Sequence, residues 1–263
     1  MKTTIYLVLT GLMILSACKK DDFQYSFETP SKLLVSIKEN GQLVAEFKYD
    51  NLNRVIQVDR YISGDTGIIR QYFEYDSRNR LIRKSSGEYT ESYEYNSSGS
   101  LVTMTLHFKS ARDGYEWDQK TELQYSKGRI SKGIVFSSDG NESGYINYKY
   151  DSRGNTIERT EYSNSADYKG MIMSQYKFNY DEKINPNSVS SSPFWGVSQA
   201  DIIQGNNPTY SYYYNISMSA FPPQYEFSYD YDDTGLPVKE YREKVQELSS
   251  SNIFEYEYTG KHE

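Results

Sequence analysis

The chain has 263 residues, a formal net charge of −7, 28 tyrosines, two histidines and one cysteine. A single cysteine excludes an internal disulfide framework and a cysteine metal site. The acidity argues against nucleic acid and against electrostatic binding to anionic lipid, and the length suffices for one large β domain with a core of its own.

Residues 1–17 read as a targeting segment. Lys2 supplies a positive n-region, and the apolar run from Ile5 to Leu15 is too short to span a bilayer comfortably. The run closes on Leu15-Ser16-Ala17-Cys18, which resembles the bacterial lipobox. That resemblance implies thioether lipidation of Cys18, cleavage before it and acylation of the new amino terminus. An ordinary signal peptide with a chance cysteine and an unprocessed transmembrane helix are the alternatives. Several acyl chains anchor stably, at ~0.8 kcal/mol per buried CH₂. Residues 18–31 read as a tether. Its Lys19-Lys20-Asp21-Asp22 stretch is similar to export signals that send some lipoproteins to the cell surface, or is a solvated spacer. The periplasmic and surface faces both stay open.

Residues 32–263 read as a single domain built on a recurring phrase, aromatic-x-Tyr-Asp followed by a turn. It occurs at Phe47-Lys48-Tyr49-Asp50, Phe73-Glu74-Tyr75-Asp76, Tyr93-Glu94-Tyr95-Asn96, Tyr148-Lys149-Tyr150-Asp151 and Tyr229-Asp230-Tyr231-Asp232. A shorter copy runs through Tyr125-Ser126-Lys127-Gly128. Before each turn the side chains alternate, as in Leu43, Ala45, Phe47 and Tyr49 against Val44, Glu46, Lys48 and Asp50. One aromatic and one charged face at period two is a half-buried antiparallel strand. Three residues after the Asp or Asn stand Asn53, Asn79, Gly99, Gly154 and Gly235, the residue types that tolerate positive φ, so a type I turn closed by a left-handed residue is expected at all five.

The phrase tyrosines at 49, 75, 95, 125, 150 and 180 are spaced by 26, 20, 30, 25 and 30 residues, one strand pair per unit. The expectation is an all-β fold, an antiparallel up-and-down β-meander of about 14–16 strands, strongly curved or closed into a barrel. A lipid-facing barrel is the alternative. It needs a Leu/Val/Ile band with aromatics at the rims, whereas here tyrosine sits in mid-strand and the mean hydropathy is −0.78. The aromatic face is therefore expected to turn inward, where a tyrosine ring packs and its hydroxyl finds a partner.

The Tyr-Asp phrase with its Gly or Asn corner resembles the YD repeats of Rhs- and teneurin-type shells, although Arg follows the turn only at Arg54, Arg80 and Arg129. Together with the lipobox and the Tyr180-Asp181…Asn185-Pro186 break, the pattern is also similar to a family of envelope lipoproteins with a porin-like β fold. The resemblance implies a fold and a location and transfers no catalytic residue.

At Asp181 the phrase is followed by Ile184, which resists positive φ. The chain is expected to leave the sheet there, in an excursion over 184–223 with a short helix or irregular stretch near 190–205, opened by Ser192-Pro193. One reading makes that helix a plug over an open end of the meander. The other makes Trp195, Tyr212, Tyr213 and Tyr214 a platform that stacks on a sugar or holds an aromatic partner.

No Ser/Cys–His pair, HExxH or phosphate loop is present. His107 alternates with Leu106 and Phe108 and reads as a surface or satisfied polar position. Asp230 to Gly235 resembles the start of a calcium loop, but Tyr241 stands at position twelve, so the stretch reads as a turn. The resulting expectation is a non-catalytic binding or scaffold module without cofactor or metal, anchored to the outer membrane at Cys18, with a glycan or an envelope protein as partner. The alternatives are a structural or assembly partner of outer-membrane proteins and a carbohydrate-active enzyme using a carboxylate pair.

Overall fold

The computed structural model describes residues 32–62, 67–185, 205–216, 224–245 and 251–261. They form β1 (Lys32–Glu39), β2 (Gln42–Tyr49), β3 (Val55–Tyr61), β4 (Ile68–Tyr75), β5 (Leu81–Ser86), β6 (Tyr89–Tyr95), β7 (Leu101–Lys109) and β8 (Glu116–Ser126). β9 (Arg129–Phe136), β10 (Glu142–Tyr150), β11 (Thr156–Ser163), β12 (Ile172–Ile184), β13 (Asn206–Asn215), β14 (Gln224–Tyr231), β15 (Pro237–Lys244) and β16 (Ser251–Gly260) follow. Each strand is antiparallel to its chain neighbours, and β1 pairs with β16 from Lys32↔Gly260 to Glu39↔Phe254, closing the barrel. Closure removes both sheet edges.

The repeated phrase supplies the curvature. In its hairpins Tyr49 faces Val55, Tyr75 faces Leu81, Tyr95 faces Leu101, Tyr150 faces Thr156 and Tyr231 faces Pro237, with a register shift beside each tyrosine. A bulge bends its strand and increases local twist. Repeated around a meander, it brings the last strand back to the first.

The aromatic face is the inner one. Phe47, Phe73, Tyr93, Leu123, Tyr148, Phe178, Phe227 and Phe254 are buried, while the alternate residues Lys48, Glu74 and Lys149 are exposed. The interior is not one continuous apolar core. A first cluster centres on Leu34, Phe47, Val58 and Phe73, a second on Leu123, Val135, Ile146 and Tyr148, and a third on Tyr176 and Phe178. Inward-facing ion pairs lie between them: Lys84–Glu91 at β5–β6, Arg159–Glu161 on β11 and Arg242–Glu240 on β15.

Two expectations are corrected. Alternation fails at the first hairpin: Ile37 pairs with Ala45 but Lys38 with Leu43, so Val44 is a bulge residue and is buried while Leu43 is turned out. The excursion is also narrower than 184–223. β12 runs on to Ile184, which pairs with Asn206, and Asn206–Asn215 is a full strand of the wall. Apart from Gly205, the short helix or irregular stretch expected near 190–205 lies outside the described residues.

Candidate ligand-binding rim

The two ends of the barrel differ, and local chemistry explains how. The Tyr-Asp turns gather at one end. In each, the Asp Oδ1 accepts the amides two and four residues on: Leu52 (3.0 Å) and Arg54 (2.9 Å) at Asp50, Arg78 and Arg80 (both 2.9 Å) at Asp76, Arg153 and Asn155 (both 2.9 Å) at Asp151, Thr234 (2.9 Å) and Leu236 (3.0 Å) at Asp232. The corner residue then has φ of +61° at Asn53, +62° at Asn79, +90° at Gly99, +99° at Gly154 and +80° at Gly235. The shorter copy turns through Lys127 (+51°) and Gly128 (+75°).

The second Asp oxygen reaches sideways. Asp50 Oδ2 accepts from Arg54 Nε at 2.7 Å, and the Arg54 guanidinium lies 4.8 Å from the ring centre of Tyr75 in the next unit. Asp76, Arg80 and Tyr95 repeat the arrangement at 2.7 and 4.5 Å, and Arg129 lies over Tyr150 at 5.5 Å. At Asp76 the amide and side chain of Arg80 hold the carboxyl below the ordinary carboxylate range. At Asp50 burial would raise the carboxyl, and hydrogen bonds from Arg54 and the Leu52 amide outweigh it. This end is rimmed by aspartates, arginines and tyrosine rings.

The Tyr180-Asp181 copy keeps the same chemistry around an insertion. Asp181 Oδ1 accepts from the Lys183 amide at 2.9 Å and from the Asn207 amide at 3.1 Å, so Asn207 takes the place of the residue four positions on. The neck is closed by Asn185 N to Gly205 O at 3.0 Å. Fully buried Asn155 donates to Asp151 and Asn206 and accepts from the Gly205 and Asn206 amides.

The opposite rim carries a group of aromatic rings. Tyr89, Phe108 and Trp117 face one another in register across β6, β7 and β8 on the inner face of the wall, and Tyr115 joins them from the β7–β8 connection. Phe108 is 4.9 Å from Tyr89, 5.9 Å from Trp117 and 6.5 Å from Tyr115, centre to centre. Tyr89 and Tyr115 are 49% and 62% exposed. This group was not read from the sequence, where the three strand residues are scattered. Only register brings them together, Tyr89 facing Phe108 across β6–β7 and Phe108 facing Trp117 across β7–β8.

Of the residues singled out from sequence, Cys18 and Trp195 lie outside the described residues. Tyr212, Tyr213 and Tyr214 are consecutive in β13, so they alternate. Tyr213 faces inward and stacks on Tyr176 at 4.5 Å, and Tyr212 faces outward beneath Lys177 at 5.4 Å. They do not form one platform.

Among the described residues no cluster of His, Cys, Asp or Glu is arranged to hold a metal. His107 Nδ1 lies 2.6 Å from Asp118 Oδ1 on the surface. Glu240, with Asp59 among the most buried charged residues described, accepts from Arg242 at 2.7 and 3.1 Å and from the Tyr256 hydroxyl at 2.6 Å. Arg242 also lies 4.2 Å from the Phe254 ring and 5.3 Å from Phe227. Burial pushes the Tyr256 phenol well up, and the neighbouring Glu240 carboxylate adds to it.

Tyr-Asp hairpins repeated around a closed antiparallel wall define a YD-type β-shell. Residues 21–184 match the family model described as the teneurin YD-shell, and the chain belongs to that family. A porin-like protein from Bacteroides uniformis is 11% identical at a TM-score of 0.52, covering 88% of this chain and 99% of its own. A second porin-like protein, from Bacteroides vulgatus, is 12% identical at a TM-score of 0.42, covering 86% and 99%. The likeness to the first is one of fold. No curated protein matches the chain.

Proposed function

We propose that the chain is a non-catalytic binding module of the bacterial envelope, anchored at the outer membrane by lipid on Cys18, which takes a glycan or protein partner at the rim opposite the Tyr-Asp turns. The observation that carries this reading is the difference between the two rims. β1 begins at the Tyr-Asp rim, where Lys32 Nζ lies 2.9 Å from Asp232 of a Tyr-Asp turn. The tether of residues 18–31 therefore joins the barrel at that end, which leaves the exposed rings on the end away from the attachment point.

The interior carboxylates support a non-catalytic reading. A glycosidase pair needs one carboxyl protonated and one free, whereas Glu91, Glu161 and Glu240 each lie beside a cation, Lys84, Arg159 and Arg242. A structural role beside outer-membrane proteins is the second reading. It is favoured by the outward-facing stack of Tyr145 on Tyr162 at 4.8 Å, with Lys132 4.8 Å from the Tyr145 ring.

The test has two arms. Mass spectrometry of the mature amino terminus should find an acylated Cys18, and Cys18→Ser should release the protein from membranes; a free, unmodified terminus contradicts the anchor. Affinity capture from native envelope should retain a specific partner. If the only proteins retained are barrel proteins of the membrane, held through the Tyr145–Tyr162 face, the second reading stands instead.

A further inference from the structure

The ring group at the rim opposite the Tyr-Asp turns has the form of a ladder. Tyr89, Phe108 and Trp117 occupy one register row, so the rings pack side by side across the wall, with Tyr89 tilted 48° and Tyr115 tilted 55° to Phe108. The Phe108 and Trp117 planes are 27° apart, close to parallel. Tyr89 and Tyr115 are exposed and Phe108 and Trp117 half-buried, so the group keeps apolar ring surface in water, and contiguous apolar surface marks a binding site.

The next inward-facing row holds Glu91, Leu106 and Gln119, with Glu91 Oε1 accepting from Lys84 at 3.3 Å and Oε2 from the Tyr93 hydroxyl at 2.6 Å. Donors and acceptors thus lie immediately inside the rings. The charges flanking the ladder are matched in pairs, Lys109 with Glu116 and His107 with Asp118. An anionic ligand needs an excess of cations, and an aromatic peptide anchor needs an enclosed pocket; an open row of rings provides neither. It suits a ligand with apolar ring faces, hydroxyl edges and no charge.

We propose that the Tyr89–Phe108–Trp117–Tyr115 ladder binds a neutral oligosaccharide, its pyranose faces stacked on the rings and its hydroxyls hydrogen-bonded to Gln119 and Glu91. This names a site and a ligand class within the binding reading above, and it does not depend on the lipid anchor.

The experiment uses the detergent-solubilised full chain on an array of neutral and sulfated oligosaccharides, followed by fluorescence titration. The chain has two tryptophans, so a Trp195→Phe background makes Trp117 the sole reporter. The expected result is selective binding of neutral glycans with a shift in Trp117 emission. Tyr115→Ala, at an exposed connection, should weaken binding about tenfold, and Trp117→Ala by more. Neutral-glycan binding that survives both Tyr115→Ala and Tyr89→Ala overturns the site while leaving a binding module. Binding only of sulfated glycans, or of none, overturns the ligand class, and capture from native envelope still decides the binding reading by itself.

Discussion

The Tyr75 hydroxyl donates to the Val55 carbonyl at 2.9 Å, and Val55 is the residue that faces Tyr49 across the preceding hairpin. The step recurs: Tyr95 to Leu81 at 2.7 Å, Tyr125 to Leu101 at 2.6 Å, Tyr180 to Thr156 at 2.8 Å and Tyr258 to Pro237 at 2.6 Å. Each acceptor faces the tyrosine of the unit before, beside its bulge. A bulge disrupts the ladder of main-chain hydrogen bonds, and the following unit's tyrosine gives a carbonyl there a partner. At these steps the repeat is a latch from one hairpin to the one before it, while the Tyr231 hydroxyl donates instead to the Asp181 carboxylate.

Removing one latch should show its worth. Tyr75→Phe leaves the Val55 carbonyl without this donor and should cost about 1–2 kcal/mol. Tyr75→Ala also removes the ring from the first apolar cluster and from under Arg54, and should cost about 3–5 kcal/mol. Tyr168→Phe, at an exposed tyrosine, should change stability by less than ~0.5 kcal/mol. Urea unfolding of the three variants reads all of these.

The turn aspartates set an acid limit. The folded Asp76 carboxyl lies below its ordinary value because the Arg80 amide and guanidinium bind the charged form. A carboxyl depressed in the folded state stabilises above its unfolded value of ~3.9, and that contribution disappears as pH falls through the folded value. Thermal unfolding between pH 6 and pH 3 should therefore show a drop in Tm for the wild type. Asp76→Asn should begin lower at pH 6 and fall less over the same interval.

Asn155 is the pin that holds the insertion shut. Asn155→Ala removes two donated and two accepted hydrogen bonds at a fully buried position, at a cost of about 3 kcal/mol. Hydrogen exchange should speed up at the Gly205 and Asn206 amides before it does in β1 or β16. Unchanged protection there contradicts the assigned role.

The Glu240–Arg242 pair should be costly to break and cheap to replace. Arg242→Ala strands a buried carboxylate and should cost about 3–5 kcal/mol. The double variant Arg242→Met with Glu240→Gln removes both charges and should recover most of that loss, as measured by chemical denaturation.

Much of the wall was legible because its signals are local. An Asp, a Gly or Asn three residues later and a period-two approach are all contained in nine residues, so the hairpins around Asp50, Asp76 and Asp151 could be read directly. Two misreadings came from partners distant in sequence. Asp181 lacks a normal corner because Asn207 supplies its second amide, and this hid β13. The ring ladder depends on register between Tyr89, Phe108 and Trp117, which no single segment contains. Tyr212 to Tyr214 looked like a platform because adjacency in sequence was read as adjacency in space, against the alternation that every strand imposes.

The central claim, that tyrosines face a closed interior and latch it, is tested most directly by a spectrophotometric titration of the phenols alongside circular dichroism. Burial pushes the Tyr75 phenol up to about 12 and holds those of Tyr49, Tyr229, Tyr256 and Tyr258 higher still. A phenol raised in the folded state stabilises fully below its unfolded value of ~10 and loses that contribution as pH rises through the folded value. The account predicts that Tyr75 and these four phenols stay protonated, with the β signal intact, until a steep step at or above about 12 in which they ionise together with unfolding. A single smooth titration of all 28 tyrosines near pH ~10, with the β signal unchanged throughout, would contradict it.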